Sequence, residues 1–116
     1  MTESEIQHDI RVALGQLPDV RVFRNNVGVA DVRGSKVRFG LAKGSSDLIG
    51  FIRHDFNGKK IARFVSLEVK TPTGKTTEEQ DLWIAAIRRF GGFACVVRSV
   101  EDALAAIERA RKGEYE

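Results

Sequence analysis

The chain is predicted to be an α/β protein, a mixed sheet flanked by helices in the order α-β-β-β-α-β with one more helix at the carboxyl end. Three observations predict it. Apolar residues recur at helical spacing at both ends of the 116 residues and once between them. The middle alternates apolar and polar residues around an Asn-Gly pair, and one short unbroken apolar run separates the last two helices.

Taken in order, TESEIQHDIRVALGQL sets Ile6, Ile10, Ala13, Leu14 and Leu17 at helical spacing. Thr2 and Glu5 fit a capping box, so the helix is expected to begin at the third residue, and Pro18 with Asp19 to end it. Val20 to Arg24 reads as a short strand, and Val27 to Leu41 as a looser strand pair turning at Arg33-Gly34-Ser35-Lys36. DLIGFIRHDF and KKIARFVSLEVK flank Asn57-Gly58, a strong hairpin signal because both residues tolerate positive φ. Thr76 and Glu79 suggest a second capping box, with Trp83, Ile84, Ile87 and Phe90 on the buried face of its helix and Gly91-Gly92 as its stop. FACVV reads as a central strand. Ser99 then caps a last helix with Val100, Ala103, Leu104 and Ile107 inward. Residues 1–110 form one domain on this reading, and 111–116 a frayed tail.

Apolar content of 42% and charged content of 30% are those of an ordinary globular domain. No apolar run approaches the ~20 residues that cross a bilayer. The polar start MTESEIQHDI does not resemble a signal peptide, so the chain is expected in the cytoplasm. One cysteine, Cys95, and two distant histidines, His8 and His54, argue against a Cys/His zinc site; Cys95, mid-strand, is expected to be buried and inert. The net charge of +3 is compatible with a polyanion. Arg21, Arg24, Arg33, Lys36, Arg38 and Lys43 come with only Asp19 and Asp31 among them.

The chemistry gathers where the hairpin ends. In FVSLEVK, Glu68 and Lys70 share one face while Val65, Leu67 and Val69 take the other. An exposed ion pair is the plain reading, worth under ~1 kcal/mol. The hairpin, however, brings Asp47 beside Glu68. Two carboxylates at one sheet end repel unless a cation stands between them, and oxygen donors suit Mg²⁺ or Mn²⁺. A nearby lysine can then orient an attacking water or offset charge on phosphorus.

GSSDLIG, FVSLEVK and TTEEQDLWIAAIRRFGG resemble the VRR-NUC (virus-type replication-repair nuclease) domain, a branch of the PD-(D/E)xK nuclease superfamily with a restriction-endonuclease-like fold. The likeness runs from the first helix through FRNNVG and LAKGSSD to the strand after Gly92. It implies that Asp47, Glu68 and the backbone carbonyl of Val69 hold the metal and that Lys70 is the catalytic lysine. It also implies a further active-site acid in the first helix, Glu5, touching the metal directly or through water, against its reading as a cap. Gln80 would orient Lys70 or a phosphate, against a solvated glutamine. Arg24, Asn25 and Asn26 can bind phosphate or sugar or simply shape a turn; Ser45, Lys43 and Lys75 flank the site. Trp83 reads as core. Ser46 stands where the family often has proline, which puts the stiffness of the loop in question.

The resemblance implies a metal-dependent endonuclease acting on DNA of a bacterial or phage-infected cell, with branched substrates such as four-way junctions, and a homodimer. A non-cleaving nucleic-acid-binding accessory of replication, repair or packaging, and a nuclease acting on RNA, stay open.

Overall fold

The computed structural model describes residues 1–116, and its nine elements follow the expected order. They are α1 (Glu3–Leu14), β1 (Val20–Arg24), β2 (Gly28–Val32), β3 (Ser35–Phe39), β4 (Leu48–Phe56), β5 (Lys59–Val69), α2 (Glu78–Arg89), β6 (Phe93–Val97) and α3 (Val100–Arg111). The main sheet runs β1-β4-β5-β6. Its first three strands pair antiparallel, and β6 lies parallel to β5 because α2 carries the chain back across the sheet. β2 and β3 form a separate two-stranded ribbon. Both hairpins turn through two residues of positive φ, Arg33-Gly34 (51° and 82°) and Asn57-Gly58 (50° and 75°), a twist that matches that of the strands they join.

Alternation along β5 divides the molecule into layers. Val65, Leu67 and Val69 join Ile6, Ile10 and Leu14 of α1 and Ala103, Ala106 and Ile107 of α3 in one core. Ser66 and Glu68 point the other way, to α2, where Trp83 Nε1 donates to Ser66 Oγ at 2.9 Å. Trp83 is thus an anchor of the helix to the sheet, half-buried and with its one polar atom satisfied.

Several elements depart from expectation. α1 stops at Leu14, ahead of Pro18, with Gly15 as its cap: the Gly15 N–H donates to the Arg11 carbonyl and the Gln16 N–H to the Ala13 carbonyl. The capping box of α2 is Thr77 with Gln80, one residue on from Thr76 and Glu79, and Thr76 Oγ1 instead bonds Asp81 at 2.6 Å. Phe90, expected in the core, is 83% exposed because it has become the C-cap, beyond the helix's inward stripe. Leu104 also faces partly outward, and alanines fill the contact beneath α3. β6 is an edge strand, not a central one. Its edge is covered by the tail: the Ala94 N–H donates to the Tyr115 carbonyl at 3.0 Å. Residues 114–116 therefore dock where fraying was expected, and Arg63 fastens them by donating to the Glu114 carbonyl at 2.7 Å and stacking on the Tyr115 ring. Cys95 is buried, and burial pushes its thiol up to about 11.

Candidate active site

Leu48 pairs with Leu67, so the next residues outward, Asp47 and Glu68, stand opposite each other where β4 and β5 leave the core. Asp47 is half-buried and its Oδ2 accepts the Val69 N–H at 2.9 Å. The backbone at this point is equally directed. The Lys70 N–H donates to the Val97 carbonyl across the parallel pair, so by strand alternation the Val69 N–H and carbonyl both face Asp47.

Glu68 is 1% exposed. One oxygen, Oε1, accepts from Gln80 Nε2 at 2.8 Å and lies 3.8 Å from Lys70 Nζ. The other, Oε2, is buried with no hydrogen-bond partner at all. Burial first, and then the neighbouring charge of Asp47, raise the Glu68 carboxyl to about 8, against a smaller opposing pull from Lys70. Two facing carboxylates with no donor between them need either a shared proton or a cation. The donors that converge here are hard oxygens: Asp47, Glu68 and the Val69 carbonyl. That set fits a small divalent cation that keeps several waters of its own. Nowhere do three or more His, Cys, Asp or Glu side chains converge closely enough to hold one ion, so Asp47 and Glu68 are the two carboxylates placed to ligate it directly.

Lys70 is 8% exposed and its ammonium makes no hydrogen bond, only the ion pair with Glu68. The turn after it is braced by Arg98, whose Nη1 donates to the Thr71 and Gly74 carbonyls at 2.6 and 2.7 Å. Arg98 was not legible as part of the site, since a basic residue after a strand carries no specific signal.

Gln80 does face the sheet, but its partner is Glu68, not Lys70. Its Oε1 accepts the Thr77 N–H at 2.9 Å, so one amide both caps α2 and fixes the carboxylate. Glu5 does not reach the site. It is held in the capping box with Thr2 and turned toward His8 and Asp9. The acid of α1 that faces Asp47 is Glu3, which with Ser4 and Gln7 forms one wall of a cleft of about 220 Å³. Periodicity held that signal: Glu3 and Gln7 share the helix face of Ile6 and Ile10, whereas Glu5 falls off it.

Arg24, Asn25, Asn26, Ser45 and Asp47 also line this cleft. Glu68 and Lys70 are not part of this lining and are nearly closed from solvent. Arg24 and Asn26 are exposed in the cleft. The Asn25 side chain is committed elsewhere: Nδ2 donates to Ser45 Oγ at 2.8 Å and to the Ser46 carbonyl at 2.9 Å, and its own N–H donates to the Asp47 carbonyl at 2.7 Å. These bonds brace the approach to Asp47 that a proline would otherwise stiffen; Ser45 Oγ accepts one of them and keeps its own O–H donor in the cleft lining. The Ser46 hydroxyl itself is buried and unpartnered. Lys43 pairs with Glu79 at 3.5 Å, and Lys75 is exposed without a partner. Gly44 (φ +87°) lets this loop touch α2, because a Cβ there would fall 2.6 Å from the Glu79 backbone.

Residues 3–101 match the family model of the VRR-NUC domain, a span that includes Asp47, Glu68, Lys70 and Gln80. No curated protein gives a significant match.

Proposed function

Because the chain belongs to the VRR-NUC domain family, a nuclease family of restriction-endonuclease-like fold with nucleic acid as partner, we propose that it is a divalent-metal-dependent endonuclease hydrolysing DNA phosphodiesters. The observation that carries the reading is the buried Glu68, opposite Asp47 across the hairpin, with Oε2 unpartnered and the Lys70 ammonium 3.8 Å from the other oxygen. A binder that does not cut gains nothing from two carboxylates beside phosphate.

Asp47, Glu68 and the Val69 carbonyl would hold Mg²⁺ or Mn²⁺, which when bound supplies Lewis-acid polarisation of the phosphoryl group and neutralises its charge. The chain's own residues do the positioning. Gln80 holds Glu68 at Oε1, which leaves Oε2 free. The Val69 N–H fixes Asp47. Lys70, tied by no hydrogen bond, orients the water that attacks phosphorus and donates to the oxygens that gain charge there. As the water oxygen bonds to phosphorus and its proton passes to solvent, the phosphorus–O3′ bond breaks and the 3′ oxygen takes a proton from solvent. Arg24 and Asn26 steer the phosphate backbone into the cleft. Glu3 stands across from Asp47 as a further acid able to hold a water at the site.

Lys70→Ala and Asp47→Asn should each slow cleavage by about 100-fold or more while changing DNA affinity only a few-fold, because affinity comes from phosphate contacts elsewhere. Full-rate cleavage by either variant removes the mechanism.

A two-fold dimer presents two active sites to the two symmetric strands of a four-way junction, and we assign that substrate preference and assembly. An apolar surface is available for it: α2 covers only the β5–β6 half of its face of the sheet, leaving Phe23 and Phe51 exposed with ring centroids 6.2 Å apart. Equal rates on linear duplex and junction would end the substrate assignment, and a monomer by light scattering the paired one.

A further inference from the structure

The ribbon of β2 and β3 has no role in the chemistry above, yet it leaves the body beside the cleft: Asn26 and Val27, the residues leading into β2, line the cleft that holds Asp47. Its two strands pair with each other and pack substantially on no other element. The radius of gyration, 14.8 Å, exceeds the roughly 13 Å of a compact chain of this length, as a projecting element requires. A two-stranded ribbon standing alone is marginally stable in water, so its sequence is expected to serve a partner.

The pairing register shows what kind. Asp31 opposes Lys36 and Val29 opposes Arg38, so Lys36 and Arg38 lie on one face, while Ala30, Val32, Val37 and Phe39 lie on the other. Arg33 occupies the tip of the turn. All three cations are exposed, and none forms an ion pair, even though Asp31 lies directly across from Lys36. Three free cations on an arm that starts at a phosphodiester-sized cleft are complementary to a polyanion. They are not complementary to a second copy of a chain whose own net charge is +3.

We propose that the β2–β3 arm grips the duplex flanking the scissile bond, laying Lys36 and Arg38 against its phosphates with Arg33 leading at the tip. This deepens the nuclease reading and rests on it. A two-stranded ribbon fits the B-DNA major groove, about 12 Å wide. The grip sets the distance between the duplex and Asp47, making the arm a positioning device rather than part of the chemistry.

The test compares the full-length chain with its R33A/K36A/R38A variant on a fixed four-way junction, in Ca²⁺ to prevent cleavage, across a salt series. All three side chains are exposed, and R33K/K36R/R38K serves as the charge-preserving counterpart. The alanine variant should bind at least about tenfold more weakly at low salt, and the slope of log affinity against log salt should fall by about 2 to 3. The counterpart should retain both. An unchanged affinity and slope overturns the proposal even where cleavage stands. So does a weaker affinity with unchanged slope accompanied by dissociation in sedimentation, because the arm would then be pairing copies of the chain. Hydrolysis of bis(p-nitrophenyl) phosphate by the unaltered chain, an ester too small to reach the arm, tests the nuclease reading separately.

Discussion

Glu68 carries an acid–base property that can be measured without any substrate. Its carboxyl titrates near 4.5 when unperturbed and at about 8 in the folded chain. Between those values the folded state holds a proton that the unfolded state has released, so stability falls as pH rises through that window. Stability from this group is fully present below about pH 4.5 and lost as pH climbs through 8. In chelator, the melting temperature should therefore drop between pH 5.5 and 8, and Glu68→Gln should flatten that drop. Added Mg²⁺ or Mn²⁺ should raise the melting temperature more at pH 8 than at 5.5, since a cation competes with the proton for Oε2. An identical pH slope in Glu68→Gln would refute the shared-proton account. At this scale the pair Glu68/Lys70 was legible from period-two alternation, and Asp47 from the Asn57-Gly58 turn that fixes the register. Glu3 was marked only by helical periodicity, and the bracing role of Asn25 by nothing local. Glu5 satisfied a local capping pattern, and only the packed face of α1 distinguishes it from Glu3. Likewise nothing local to Asn25 announces hydrogen bonds to residues 20 positions away.

Among the elements, α2 ties stability to the site most directly. Thr77 Oγ1 accepts the Gln80 N–H at 3.2 Å and Gln80 returns the bond, leaving Nε2 for Glu68. Thr77→Ala should cost about 1 kcal/mol in denaturant unfolding and also reduce the cleavage rate, because the Gln80 N–H loses its acceptor and the first turn of α2, which carries the Gln80 side chain to Glu68, loosens. Thr76→Ala should leave the rate intact, since its hydroxyl bonds only Asp81. A rate loss from Thr76→Ala equal to that from Thr77→Ala would show that the cap does not aim Gln80. Local pattern could not choose between these threonines: Thr76 with Glu79 and Thr77 with Gln80 both fit the capping box. Tertiary packing chose, because only the second places an amide against Glu68. β6 illustrates the same limit. Its unbroken apolar run reports that both faces are covered, by α2 and α3, and says nothing about its edges. The hairpin of β4 and β5 was legible throughout because turn chemistry and alternation agree along it.

Over the whole molecule, the site and the elements that close the sheet lie at opposite ends. In the parallel register Val69 meets Val97 near the carboxylates, whereas Val65 meets Phe93 at the far end, where the tail docks on Ala94. Arg63 is the hub there. It donates to the carbonyls of Gly91 after α2, Ala110 in α3 and Glu114 in the tail, and so binds three segments to β5. Arg88 pairs with Glu116 at 2.7 Å on the same side. Removing residues 114–116 should expose the β6 edge and cost about 1–2 kcal/mol, with faster aggregation on heating. Cleavage per folded molecule, measured well below the melting transition, should be unchanged, because no residue of the acid pair or its supports is touched. Equilibrium unfolding and single-turnover cleavage on the same preparation separate the two effects. A rate that falls in step with stability would mean that the two ends of the sheet are coupled, and that the carboxylates owe their alignment to the closed edge as well as to Gln80 and Val69.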